Sequence, residues 1–92
     1  MSLPITTIPS PNFTRGRARN VRVVVIHTVE APERGTIAED VARNWFAKSE
    51  AKSSSHYIVD NDSIVRCVDE ANTAWAAPGA NADGIQIEHA GY

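Results

Sequence analysis

A chain of 92 residues is enough for one small domain, and 42% hydrophobic with 22% charged residues is typical of a folded globular protein. The net charge of −2 argues against a general nucleic-acid binder, and no apolar run approaches the roughly 20 residues of a membrane span. The first residues lack the basic start and apolar core of a signal peptide. The single cysteine, Cys67, excludes an internal disulfide and a zinc site of paired cysteines; we interpret it as a small core residue.

Residues 1–20 have little hydrophobic periodicity and contain closely spaced prolines and polar residues. This pattern predicts an extended N-terminal lead-in that wraps over the domain. Arginines cluster just before the first apolar run, and we interpret them as a solvated flank or as an anchor for an anionic surface. These arginines are Arg15, Arg17, Arg19 and Arg22.

An apolar run at residues 21–28 ends on a histidine. Its density of β-branched residues predicts a strand buried on both faces, with His27 where a central strand emerges from the core. Because packing fixes such a strand, this is a good position for a metal ligand. By themselves these eight residues favour the alternative that His27 only ends a core strand and bonds a backbone carbonyl.

Residues 36–46 carry the pattern of an amphipathic helix. Thr36 and Glu39 have the spacing of a capping box, and apolar residues recur at helical intervals after them. We interpret Trp45 as a packing residue of this helix. The apolar positions are Ile37, Ala38, Val41, Ala42, Trp45 and Phe46.

After a serine-rich connector at 49–55, short apolar runs at 56–59 and 63–68 flank an Asp-Asn-Asp turn, which predicts a β-hairpin. A turn is expected at 69–72 and a loop at 78–84. Residues 85–88 alternate, which predicts a strand with Gln86 and Glu88 on one face. Strands mixed with one helix indicate an α/β domain with a mixed sheet.

Four ionisable residues could cooperate in catalysis: His27, His56, Glu88 and His89. If the strands of His27 and Glu88 are neighbours in one sheet, the two side chains can face a common cleft. A metal at His27 would make a bound water nucleophilic, and the carboxylate could move its proton. The alternative, a solvated Glu88, is equally compatible with these residues, and the pleat should turn His89 to the opposite face.

Four segments in this order resemble the zinc-dependent N-acetylmuramoyl-L-alanine amidases, whose fold is shared with peptidoglycan recognition proteins. They are VVVIHT at 23–28, SSSHYIVDNDSIV at 53–65, TAWAAPGAN at 73–81 and GIQIEHAGY at 84–92. The resemblance is greatest to endolysins of phages that infect mycobacteria and related actinobacteria. It implies a mixed β-sheet with a flanking helix and hydrolysis of the amide between N-acetylmuramic acid and L-alanine in peptidoglycan.

The resemblance also implies roles for individual residues. His27 corresponds to the first zinc ligand of the family, and Glu88 to its catalytic acid and base. His56, Trp75 and Asn81 correspond to substrate-binding positions of the groove, although Trp75 fits the core equally well.

Members of the family complete the zinc site with a histidine and an aspartate or cysteine from a later segment. Residues 21–92 would then be the N-terminal part of one amidase domain, with the remaining Zn²⁺ ligands expected beyond Tyr92. On this expectation the 92-residue chain is inactive and leaves apolar sheet surface uncovered. In addition, Ala76 replaces a groove histidine and Gln86 a small residue.

The resemblance leaves two functions open. The first is a peptidoglycan hydrolase of the endolysin type, expected in the cytoplasm of the infected host until lysis and then at the cell wall. The second is a non-catalytic peptidoglycan-binding module of the same fold.

Overall fold

The computed structural model describes residues 5–17, 20–28, 37–60, 63–76, 81 and 83–90. Residues 29–36 lie outside these ranges, as do residues 78–80 and 82 of the loop predicted at 78–84. The strands and the α-helix are, in chain order, β1 Ile5–Thr7, β2 Phe13–Thr14, β3 Val23–Thr28, α1 Ile37–Val41, β4 Tyr57–Val59, β5 Ile64–Arg66, β6 Thr73–Ala74 and β7 Gly84–His89.

Five of the strands form one mixed sheet in the order β1-β5-β4-β7-β3. β4 and β5 pair antiparallel, with Ile58 opposite Val65, which confirms the predicted hairpin. β7 runs parallel to both of its neighbours, β4 and β3. β2 and β6 form a separate antiparallel ribbon. The predicted α/β class, a mixed sheet with a flanking helix, is confirmed.

The predicted helix is present, but its second half is not α-helical. α1 continues as a π-helix at Ala42–Phe46, where the N–H of Ala47 donates to the carbonyl of Ala42 at 2.8 Å. The capping residue Thr36 lies outside the described residues. The carboxylate of Asp60 accepts a hydrogen bond from the N–H of Ala38 at 3.0 Å, so the hairpin turn supports the first helical turn. No helix in the described ranges has the length and apolarity needed to cross a membrane.

The hydrophobic core lies between this helix and the hairpin. The buried helix row Ala38, Ala42 and Phe46 packs with Ile58 and Val65 of the sheet. Cys67 belongs to the same cluster and is 5% exposed, which confirms the interpretation of this residue as a core side chain. Burial raises the pKa of its thiol to about 12.

The N-terminal segment is more than a lead-in, because it supplies β1 and β2 to the two sheets. Its buried Asn12 donates side-chain hydrogen bonds to the carbonyls of Phe46, Lys48 and Ser53 at 3.3, 2.9 and 3.1 Å. One amide therefore connects the end of the helical region to the serine-rich connector. Sequence inspection saw Asn12 only as part of a polar, proline-rich stretch.

Three arginines of the cluster are described and differ in exposure, and Arg19 lies outside the described residues. Arg15 and Arg22 are exposed, as a solvated flank requires. Arg17 is half-buried, and its guanidinium donates hydrogen bonds to the carbonyls of Glu70 at 2.6 Å and Gly84 at 3.1 Å. For Arg17 the flank interpretation was wrong, because this side chain connects the carbonyl of Glu70 to the carbonyl at the start of β7.

β3 does not have the burial that the sequence predicts. Within the described residues it pairs with β7 alone and lies at an edge of the sheet. Val24 is 61% and Ile26 is 59% exposed, so the prediction of a central strand buried on both faces was wrong. A run of β-branched residues favours a strand but does not determine what packs against it. The expectation of uncovered apolar sheet surface is confirmed at these two residues.

Replacing Asn12 by alanine should lower the free energy of unfolding by about 1–3 kcal/mol, because buried carbonyls lose their donor. Urea unfolding of Asn12→Ala measures the loss. The matched control is Asn20→Ala, at an exposed position, which should change the unfolding free energy by less than about 0.5 kcal/mol. Equal losses in the two variants would contradict the role of Asn12.

Replacing Val24 by lysine should reduce self-association, because an exposed apolar edge strand promotes pairing between chains. The unfolding free energy should stay within about 0.5 kcal/mol, since the side chain is largely exposed. Sedimentation velocity over a concentration series measures the association. Thr6→Lys, on the exposed strand at the opposite edge, adds the same charge without removing apolar surface. If it suppresses association equally, charge and not the β3 surface is responsible.

Candidate active site

The site depends on the parallel pairing of β3 and β7. In their register His27 lies opposite Glu88, and Val25 lies opposite Gln86. Register partners on adjacent strands project from the same face of a sheet, and alternate residues of a strand share a face. His27, Gln86 and Glu88 therefore lie on one face. The sequence-based condition for a cooperating pair, neighbouring strands, is met.

Glu88 lies at the edge of an open groove with a volume of about 400 Å³. The carboxyl group is half-buried, and this burial raises the pKa of Glu88. The nearby rings of His27 and His89 act in the opposite direction without reversing the shift. A carboxyl with a raised pKa keeps its proton to a higher pH than an exposed glutamate, which suits a group that must donate a proton as well as accept one. The described residues that line the groove are Thr28, Val41, Trp45, Phe46, Ser53, Ser54, Trp75, Ala76 and Glu88.

His27 makes a side-chain hydrogen bond to its neighbour on β7. Its Nε2 lies 2.9 Å from Oε1 of Gln86, so Nε2–H donates to the amide oxygen. Gln86 is fully buried, which fixes the position of its amide. A fully buried side chain of β7 thus holds the ring of His27.

His56 immediately precedes β4 and is fully buried. Its Nδ1 accepts a hydrogen bond from the N–H of Gln86, and its Nε2 donates to the carbonyl of Asn72, both at 2.9 Å. The ring is therefore neutral, and burial lowers the pKa of His56 from its ordinary value of 6.5. His56 has no exposed ring atom to offer a substrate, and its contacts support β7.

Trp75 and Asn81 occupy different places in the site. Trp75 is 37% exposed and lines the groove, which excludes the alternative of a core residue. The side-chain oxygen of Asn81 accepts a hydrogen bond from the N–H of Ala76 at 3.0 Å. Asn81 therefore holds the segment after Trp75, and Ala76 lines the groove.

Sequence inspection missed Trp45 as a groove residue. In the helical region Ala38 and Ala42 face the core, Val41 and Phe46 contact both the core cluster and the groove, and Trp45 lines the groove. Trp45 is 54% exposed, so its interpretation as a packing residue was wrong. Its spacing from Val41 was visible in the sequence, but the spacing does not distinguish a core-facing row from a groove-facing one.

The side chains present do not satisfy the requirements of a catalytic zinc site. Such sites use about three protein ligands and leave a position for water. Among the residues that the structure describes, no group of three histidine, cysteine, aspartate or glutamate side chains is placed to hold a metal ion. His27 and Glu88 are the two candidates on the shared face, and the ring of His89 is directed to the carbonyl of Ala90 at 2.9 Å.

The family comparison and the curated relative both point to the same family. The N-acetylmuramoyl-L-alanine amidase family matches residues 17–92. N-acetylmuramoyl-L-alanine amidase A of Achromobacter lyticus is 34% identical over 84 residues, which cover 89% of this chain and 44% of that protein. The chain thus spans less than half the length of this curated relative.

Solved structures share the fold. A mutant endolysin from Bacillus subtilis superposes with a TM-score of 0.80 at 22% identity, covering 97% of this chain and 62% of that chain. The catalytic domain of XlyA gives 0.80 at 22% identity, covering 96% of this chain and 61% of that chain. The Staphylococcus aureus hydrolase AmiA, solved with its ligand, gives 0.65 at 21% identity and covers 100% of this chain and 46% of that chain.

The buried neutral His56 predicts a loss of stability in acid. The unfolded chain binds the histidine proton near pH 6.5, whereas the folded chain binds it only at lower pH. The unfolding free energy contributed by His56 is therefore complete above pH 6.5 and falls as the pH decreases below it. Urea unfolding at about pH 8 and about pH 5 measures the difference.

His56→Asn is the informative variant, because asparagine offers an acceptor near the position of Nδ1 and cannot take up the proton. Its stability should decrease less between the two pH values than that of the unsubstituted chain. His89→Asn, which leaves His56 intact, should retain the full decrease. An identical pH dependence in His56→Asn and the unsubstituted chain would contradict the assignment.

Proposed function

This chain belongs to the N-acetylmuramoyl-L-alanine amidase family, and on that basis we propose that it acts on peptidoglycan at the amide between N-acetylmuramic acid and L-alanine. The observation that carries the proposal is Glu88, a half-buried carboxyl with a raised pKa in a groove, opposite His27 in register. The chain spans 44% of its curated relative, so the activity of the whole protein is part of the proposal.

Glu88 is the proposed acid and base of the reaction. Its carboxylate takes a proton from the attacking water, whose oxygen forms a bond to the lactyl carbonyl carbon. The same carboxyl then gives the proton to the departing nitrogen of L-alanine as the C–N bond breaks. The raised pKa supports the second step, because burial favours the protonated form of Glu88, from which the proton is given to the leaving nitrogen.

Zinc dependence is supported by the resemblance alone. His27 is the proposed ligand, with Gln86 fixing its ring through the bond to Nε2. Since the described residues provide no group of three metal-binding side chains, no step of this mechanism passes through a metal. The endolysin neighbours support the further proposal that the protein acts at the bacterial cell wall during phage lysis.

The second candidate is a peptidoglycan-binding module without hydrolysis. The described residues form a groove, but no three of their side chains are placed to hold a metal ion. This combination favours binding without hydrolysis. In this alternative the protein binds peptidoglycan and does not hydrolyse it.

The test measures binding and hydrolysis on the same sample. The chain is incubated with purified insoluble peptidoglycan, with and without added Zn²⁺, and the bound fraction and newly released L-alanine amino groups are quantified. An amidase should release amines, and Glu88→Gln should reduce the rate by about 100-fold or more without reducing binding, since one acid and base group is lost. The matched control Glu50→Gln, at an exposed site, should leave the rate unchanged.

Each result selects one function. Because the 92-residue chain alone is expected to be inactive, the same assay is run on the protein extended beyond Tyr92, and binding without amine release by that longer form would replace the amidase proposal by the binding module. Equal release by Glu88→Gln and the unsubstituted chain would remove the acid and base role of Glu88. Absence of both binding and release would contradict both candidates.

A further inference from the structure

The two sides of β7 are bonded differently. β3 pairs with all six residues of β7, whereas β4 pairs with residues 87–89 alone. Backbone N–H and C=O groups of a buried strand need partners on both sides. On the side of β4, residues 84–86 therefore need partners that the strand pairing does not supply.

Two residues that lie outside the strands supply these partners. The guanidinium of Arg17 donates from Nη1 to the carbonyl of Gly84 at 3.1 Å. Nδ1 of His56 accepts a hydrogen bond from the N–H of Gln86 at 2.9 Å, and the backbone N–H of His56 donates to the carbonyl of Gln86 at 3.0 Å. Arg17 and His56 thus take the place of a neighbouring strand along the first half of β7.

Arg17 and His56 also contact each other. Nη2 of Arg17 lies 3.1 Å from Nε2 of His56. Because Nδ1 of the ring accepts a hydrogen bond, the neutral ring carries its proton on Nε2, which donates to the carbonyl of Asn72 at 2.9 Å. A guanidinium has no acceptor atom, so the contact places a positive charge beside a neutral ring and is not a hydrogen bond.

The groups around His56 act on its ionisation in both directions. Burial, which has the largest effect, and the positive charge of Arg17 lower the pKa of His56. The carbonyl of Asn72 and the carboxylates of Glu70 and Asp69 raise this pKa without reversing the shift. Arg17 thus opposes two nearby carboxylates and favours the neutral ring.

We propose that Arg17 is a positioning residue for the strand of Glu88. It bonds the start of β7 and keeps His56 in the neutral form that accepts the N–H of Gln86. A second proton on the ring would occupy Nδ1, so the first half of β7 would lose a bond on the side of β4, two residues before Glu88. The inference rests on the proposed function only for the task of Glu88, because the placement of β7 is measured without substrate.

The experiment follows two backbone amides by hydrogen exchange at about pH 7. The amide of Gln86 reports the first half of β7, and the amide of Ala47, which bonds the carbonyl of Ala42, reports opening of the whole domain. Arg17→Gln should increase the exchange of Gln86 about tenfold relative to Ala47, the scale of one lost hydrogen bond. The matched control Arg15→Gln removes the same charge at an exposed position and should leave this ratio unchanged.

A pH titration separates the charge of Arg17 from its hydrogen bonds. The amide signal of Gln86 should shift in the pH range where the His56 ring takes up its second proton. In Arg17→Gln this range should lie at higher pH, because removal of the positive charge raises the pKa of His56.

Arg17→Lys is the second variant, and it also tests the inference if Arg17→Gln does not fold. It keeps the positive charge, so the amide signal of Gln86 should titrate as in the unsubstituted chain. The exchange of Gln86 should increase only about threefold relative to Ala47, since one ammonium replaces a fork that bonds two carbonyls.

Equal acceleration of Gln86 and Ala47 in Arg17→Gln would overturn the inference, because Arg17 would then stabilise the domain as a whole. The inference also fails if Gln86 titrates at the same pH in Arg17→Gln as in the unsubstituted chain, or if Arg15→Gln reproduces both effects. Amine release without a selective effect on Gln86 would remove the role of Arg17 alone. A selective effect without amine release would support this role and remove only the hydrolysis.

Discussion

The parallel register between β3 and β7 is the constraint on which the candidate site depends. It places His27 opposite Glu88 and brings Gln86 to the same face, where it contacts the His27 ring. A slip of one residue would reverse the face of every side chain on one strand relative to the other. The pair would then be separated by the sheet. The pairing of six backbone residues on each strand therefore fixes the position of His27 relative to Glu88.

Buried polar contacts hold β7 in place from the side opposite β3. Nδ1 of His56 accepts a hydrogen bond from the backbone N–H of Gln86, and the backbone N–H of His56 donates to the carbonyl of Gln86 at 3.0 Å. Asn12 and Arg17 add contacts from the N-terminal segment to carbonyls around the groove and at the start of β7. Within the described part of the chain, no buried side-chain nitrogen or oxygen lacks a hydrogen-bond partner. Satisfied buried groups define one arrangement, because any alternative leaves a polar atom unpaired.

The two faces of the sheet differ in their role. The face under the helix carries the core cluster, and at its margin Val41 and Trp45 meet Glu88 in the groove. On the other face of β3, Val24 and Ile26 are exposed, although their composition is that of a buried strand. Solved relatives share the fold over 97% of this chain, which corresponds to 62% of the Bacillus subtilis endolysin chain. The candidate chemistry and the exposed apolar residues thus lie on opposite sides of one strand.

The sequence by itself determined the helix, the hairpin, the strand of Glu88 and the mixed α/β class, because these follow from local periodicity and turn residues. The ordered motifs also pointed to the family that the comparison shows. Only the tertiary structure decided that β3 lies at an edge, that His56 is buried, that Asn12 and Arg17 bond distant carbonyls, and that Trp45 lines the groove. Each of these depends on contacts between residues far apart in the chain. A pattern of apolar and polar residues indicates which side chains favour burial. The packing of segments distant in sequence determines which of these side chains are buried.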